Sequence, residues 1–261
     1  MHNTIRQTLA QLEHEQKCKI LFAAESGSRA WGFESPDSDY DIRAIYVKPQ
    51  QWYFDIHEPA HDTFEKMLPN DLDISAWELR KTLRLFASCN LALNEWLGSP
   101  IIYTMDQDFY AKIKALLPSF FNPIRATHHY LAMAQKSWDT KTPTHEITLK
   151  KLFYALRGLF CAKWSIELGT MPPTRFDDLF TSLYLPNDIA TLIHTLQKQK
   201  QDAIEKALVP IPRTLRFFYE NQRAAILKAT SEHSFSMPAT DALNNLLYTT
   251  VLQYNEHYFK H

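Results

Sequence analysis

The chain reads as an α+β protein, with its strands in the first hundred residues and helices after them. Two observations predict this. Short apolar runs with strand periodicity occur at 19–24, 40–47 and 72–76, while helical spacing dominates from about Asp106 onward. The resulting division is a first domain over 1–105 and a mainly α-helical second domain over 106–261.

In order, Ile5, Leu9 and Leu12 have helical spacing and predict a helix over Thr4–Lys17. Lys19-Ile20-Leu21-Phe22-Ala23-Ala24 predicts a buried strand, ending at the turn Glu25-Ser26-Gly27-Ser28. Arg29-Ala30-Trp31 starts a short helix, Pro36-Asp37-Ser38 forms a loop, and Tyr40–Val47 forms the next strand. Edge strands are expected at Trp52-Tyr53-Phe54 and at Thr63-Phe64, split by the polar loop 57–61. Leu72, Ile74 and Ala76 alternate with Asp71, Asp73 and Ser75, a half-buried strand that follows the turn Leu68-Pro69-Asn70. Helical spacing then returns at Leu79, Leu83 and Phe86, and later at Phe153, Leu156 and Phe160.

Chemistry concentrates near the start. A Gly27-Ser28 turn leading into a helix offers backbone N–H groups and a hydroxyl to phosphate. Asp39 and Asp41 are two residues apart at the head of a strand, a spacing that puts both carboxylates on one side. Like charges that close repel, and a divalent cation removes the cost. Hard carboxylate oxygens suit Mg²⁺ or Mn²⁺ with further oxygens from substrate phosphates. Asp71 and Asp73 share a strand face, so spacing alone does not choose a third ligand; Asp73 is preferred because Asp71 adjoins the turn. The chain has only 5 glycines, which gives a turn glycine beside an acidic pair more weight.

These residues carry a family resemblance. Gly27-Ser28 with Asp39-x-Asp41 resembles the signature of the DNA-polymerase-β-like nucleotidyltransferase superfamily. The longer run Glu25-Ser26-Gly27-Ser28-Arg29-Ala30-Trp31-Gly32-Phe33, with Ser38-Asp39-Tyr40-Asp41, resembles bacterial predicted nucleotidyltransferases associated with RNA repair and RNA ligase. Asp73-Ile74, Trp77–Lys81, Asn94–Ile101, Tyr154-x-x-Arg157 and Met171-Pro172-Pro173 fit the same family. The resemblance spans about residues 18–180. It implies a small mixed nucleotidyltransferase sheet flanked by helices and followed by the helical domain. It further implies Asp39, Asp41 and Asp73 as metal ligands and catalytic carboxylates, with Gly27 and Ser28 on a nucleoside triphosphate.

On that reading, an NMP passes from an NTP to a hydroxyl acceptor, such as an RNA end, with release of pyrophosphate. Asp73 is then either the general base or an orienting ligand. The alternative is a non-catalytic module that holds a nucleotide or RNA end for a repair system. Lys150, Tyr154 and Arg157 share one helix stripe that can meet phosphate or stack on a base. Arg29 and Lys81 touch phosphate on one reading and pair with a nearby carboxylate on the other.

Composition narrows the class. Of 261 residues, 45% are apolar and 22% charged, ordinary globular values, and the net charge of −1 gives no bulk drive toward nucleic acid. Cys18, Cys89 and Cys161 are few and scattered, which predicts reduced buried thiols rather than a disulfide framework or zinc site. His128-His129 point about 100° apart on a helix and do not suit one metal ion. The polar Ile5-Arg6-Gln7-Thr8 lacks the apolar core of a signal peptide, and no run approaches membrane-spanning length, so a cytoplasmic location is expected.

Overall fold

In a computed structural model, the structure describes residues 1–35, 38–57, 61–68, 71–138, 146–202, 208–230, 234–236 and 238–258. Pro36-Asp37, Glu58-Pro59-Ala60 and Pro69-Asn70, read from sequence as loop and turn positions, lie outside these. The elements in chain order begin α1 (His2–Gln16), β1 (Lys19–Glu25), α2 (Gly27–Trp31), β2 (Tyr40–Val47), α3 (Gln50–Tyr53), β3 (Thr63–Leu68) and β4 (Leu72–Glu78). They continue α4 (Leu79–Ala87), α5 (Leu91–Leu97), β5 (Ile102–Met105), α6 (Gln107–Phe120), α7 (Pro123–Trp138), β6 (Glu146–Thr148) and α8 (Leu149–Leu168). The last are α9 (Phe176–Ser182), α10 (Asn187–Asp202), β7 (Leu208–Pro210), α11 (Arg213–Thr230) and α12 (Asp241–Tyr258).

The chain forms two compact units, one of Met1–Ala30, Asp39–Phe120 and Met237–His261, the other of Trp31–Ser38 and Phe121–Ser236. This differs from a single boundary at 105/106. Helix α6 belongs with the sheet because Tyr110 stacks on Phe22 of β1, centroids 5.5 Å apart, and donates to the Leu97 carbonyl at 2.8 Å. Helix α12 returns to the same unit: the Tyr254 hydroxyl donates to Asp106, and Asn255 Oδ1 accepts the Gln50 N–H at 3.2 Å.

In the first unit, five strands form a mixed sheet ordered β3-β4-β2-β1-β5. Only β2 and β4 run parallel; β1–β2, β1–β5 and β3–β4 are antiparallel. One sheet face is apolar and covered by α1: Ile5, Leu9 and Leu12 pack on Ile20, Ala23, Ile42, Ala44, Ile74, Ala76 and Tyr103. Lys66 of β3 also points to this side, its Nζ 3.0 Å from Glu15 Oε2 of α1. Because strand side chains alternate, Asp41, Arg43, Asp73 and Ser75 occupy the opposite face.

Residues 50–53 form the short helix α3 rather than the expected edge strand. Pro49 supplies a fixed φ of −54° ahead of it, and Tyr53 turns inward to bond Glu78 at 2.6 Å. Glu78 then caps α4, accepting the Arg80 and Lys81 N–H groups at 2.8 and 3.0 Å.

The second unit is built on α7 and α8. Gly158 permits their close approach, since a Cβ there would sit 2.9 Å from the Tyr130 carbonyl oxygen and from Ala134 Cβ. Thr148 caps α8, and Gly169 ends it at φ +65°. Phe153, Phe160, Phe176 and Phe180 form an aromatic core, and Trp138 stacks on Tyr219 at 3.8 Å. A small antiparallel pair, β6 and β7, interrupts the otherwise helical unit.

Candidate active site

Strand β2 carries Asp41 and strand β4 carries Asp73, and the parallel register sets the two directly side by side. Arg43 lies between them: its Nη2 is 2.9 Å from Asp41 Oδ1 and 2.8 Å from Asp73 Oδ2, and Nη1 donates to the Ile42 and Asp73 carbonyls. Adjacent carboxylates that would repel are thus held by a shared guanidinium, whose side chain is 19% exposed. Asp71 sits before the strand at φ +56° with its side chain exposed, and its carbonyl accepts the Tyr40 N–H. The register therefore puts Asp73, not Asp71, beside Asp41.

Gly27 meets Asp41 from the other side. Its φ is +62°, and a Cβ there would fall 2.3 Å from Asp41 Oδ2, so the turn depends on glycine both for conformation and for space. The Ser26 N–H donates to the Asp41 carbonyl at 2.8 Å, and Ser28 follows as a largely buried residue at the start of α2. Asp39 stands one residue before β2 and is exposed. Arg29 holds that approach: Nε donates to the Asp39 carbonyl at 3.0 Å while the guanidinium covers the Tyr40 ring at 3.9 Å.

Glu25, only 1% exposed, works from beneath. It accepts the Asp41 N–H at 2.8 Å and the Tyr103 hydroxyl, and the Ser99 hydroxyl bonds its carbonyl at 2.7 Å. Burial pushes its carboxyl above the ordinary glutamate range, an effect opposed by those two hydrogen bonds. Glu25, Tyr103 and Arg43 were not among the residues expected from sequence to build the site. Sequence signals existed for Arg43, in the same-face spacing of Asp41-x-Arg43, and for Glu25, an acidic end to a strand apolar from Ile20 to Ala24.

Of the two readings for Lys81, the structure has it paired with a carboxylate. Its ammonium binds Asp62 Oδ1 at 2.8 Å and the Thr63 hydroxyl, holding the Asp62 carboxyl below its ordinary range. Five strand steps from Asp73 to Glu78 span about 17 Å, which puts Lys81 at the far end of β4 from the carboxylates. Tyr154 and Arg157 belong to the second unit. Tyr154 meets Trp31 edge-on at 4.9 Å, and Arg157, 1% exposed, lies 4.2 Å over the Trp31 ring with Nη2 toward the Thr174 carbonyl. The stripe packs on Trp31 and Phe33, with Tyr154 half-buried and Lys150 exposed. Lys200 of α10 joins them, its Nζ donating to the Phe33 carbonyl.

Cys18, Cys89 and Cys161 are buried thiols outside any disulfide, and His128 and His129 are both exposed. Among the described residues, no helix is long and apolar enough to cross a membrane.

A family model described as the RNA repair pathway DNA polymerase beta family matches residues 1–249. The chain belongs to that family. A relative in Bacillus subtilis (strain 168), "Uncharacterized protein YcgL", is 37% identical over 252 residues, covering 96% of each chain. A nucleotidyltransferase-like protein from Exiguobacterium sibiricum 255-15 aligns over 98% of this chain and 79% of its own, at 13% identity and a TM-score of 0.33. That last likeness is too distant to bear on fold or function. Membership over residues 1–249 ties the chain to an RNA repair pathway.

Among the described residues, no three His, Cys, Asp or Glu side chains are gathered into a group that could hold a metal ion. Asp39, Asp41 and Asp73 offer carboxylate oxygens, and Asp41 turns Oδ2 toward the glycine turn while Oδ1 is held by Arg43.

Proposed function

We propose that the protein transfers a nucleoside monophosphate from an NTP to a hydroxyl acceptor, an RNA end, releasing pyrophosphate. The observation that carries this is the contact of the Gly27 turn with Asp41 while Asp41 lies in register with Asp73. It gathers a phosphate-receiving backbone and two carboxylates at one point, as phosphoryl transfer requires.

Asp39, Asp41 and Asp73 would hold Mg²⁺ or Mn²⁺, which supplies charge neutralisation on the phosphates and acidifies the acceptor hydroxyl. The backbone of Gly27 and Ser28 and the Ser28 hydroxyl bind the triphosphate. Glu25 pins the Asp41 backbone, and Arg29 pins that of Asp39, which fixes where the two carboxylates branch from the chain. The acceptor oxygen forms a bond to the α-phosphorus as the bond from that phosphorus to the bridging oxygen breaks. The hydroxyl proton passes to Asp73 or to water.

The experiment is transfer from each α-labelled NTP, with Mg²⁺ or Mn²⁺, onto an RNA pool, with wild type beside Asp39→Asn and Asp41→Asn. Label on RNA that falls by at least about 100-fold in both variants is the expected result. Equal labelling by wild type and variants would sink the site. Metal-dependent NTP binding with no pyrophosphate released would favour a module that holds nucleotide without turning it over.

A further inference from the structure

The position of the glycine turn gives the reaction a direction across the sheet. Gly27 follows β1 and lies against Asp41 of β2, so phosphates received there lie on the β1 side of the carboxylates. In-line displacement places the attacking oxygen opposite the leaving pyrophosphate. From that point the strand order runs through Asp73 of β4 to the edge strand β3. The β3 residue directly opposite Asp73 is Met67. Paired residues share a face, and Lys66 reaching α1 on the other side fixes the alternation. Met67 is 72% exposed, a large apolar side chain standing in solvent one strand, about 5 Å, beyond Asp73.

We propose that Met67 forms the floor of an acceptor subsite that packs on the base of the RNA's terminal nucleoside while its ribose hydroxyl lies at Asp73. The proposal rests on the nucleotidyl-transfer reading above. A flexible thioether suits the flat face of any base, so it grips an RNA end without selecting a sequence. Exposed Glu65 shares the face two residues away, opposite Ser75. Its carboxylate repels phosphate, so the RNA backbone leads away from it, past the Leu68 end of β3.

The test uses the full chain and an RNA oligonucleotide ending in 3′-terminal 4-thiouridine, irradiated without NTP, and separately the transfer kinetics of Met67→Ala and Met67→Trp. Crosslinks on residues 65–68 are expected. Met67→Ala should raise the acceptor KM about three- to tenfold with the NTP KM unchanged, and Met67→Trp should restore it. Crosslinks elsewhere or none, or an acceptor KM indifferent to both variants, would overturn the subsite. Transfer by wild type with either of those results removes the subsite and leaves the transfer reading standing. No transfer from any NTP removes the transfer reading, and the crosslink position alone then decides the subsite.

Discussion

Gly27 and Asp41 touch so closely that a single added carbon at position 27 would sit 2.3 Å from the Asp41 carboxylate. The turn and Asp41, fourteen residues apart in sequence, are therefore one structure. Neither can shift without moving the other.

Gly27→Ala tests that directly. The substitution must relieve a φ of +62° and push the Asp41 carboxylate aside. A stability loss of about 1–2 kcal/mol is expected, from left-handed strain and displacement together. Transfer should fall much further, by about 100-fold, because a 1 Å displacement of a positioned group costs that much. Urea melts beside transfer rates separate the two effects; equal rates in wild type and variant would refute the coupling.

Arg43 bridges Asp41 and Asp73, so its loss should make stability respond more to added metal. In Arg43→Met, two partly covered carboxylates face each other uncompensated, a cost of about 1–2 kcal/mol after allowing for solvent screening. The variant should melt lower than wild type in EDTA, and Mg²⁺ should raise its Tm by more than it raises that of wild type. Identical metal-dependent shifts would show that the guanidinium does not balance the pair.

Glu78 makes stability depend on pH. It is 1% exposed, and burial raises its carboxyl above the ordinary value of 4.5 despite the bonds from Tyr53, Arg80 and Lys81. The folded chain therefore binds this proton more tightly than the unfolded chain. The stabilisation is complete below 4.5 and is lost as pH rises through the raised folded value. Unfolding free energies of Glu78→Gln, measured by urea across that interval, should decline less with pH than those of wild type. Parallel slopes would count against the argument.

The first third of the fold was legible because its signals are local. The strand at 19–24, the glycine turn, the strand at 40–47 and the alternation at 71–76 each declare themselves within a few residues. Arg43 was not legible as a bridge, because its second partner, Asp73, comes from another strand and only register unites them. Helical spacing puts Arg157 on a stripe that can meet phosphate, and spacing alone cannot show that the Trp31 ring from far upstream covers it. Trp52-Tyr53-Phe54 has strand-like composition, and tertiary bonding of Tyr53 to Glu78 favoured a helix instead.

The helix at 241–258 packs against parts made 148 to 205 residues earlier, including Asp106 and the backbone at Gln50. On a ribosome, the sheet and its carboxylates emerge first and must wait for the whole intervening unit before that helix can dock. At about 5–20 residues per second the delay is on the order of ten seconds. During that interval the faces of α3 and α6 that receive the helix stay bare, so the nascent chain is most exposed to proteases and chaperones after its acidic pair already exists.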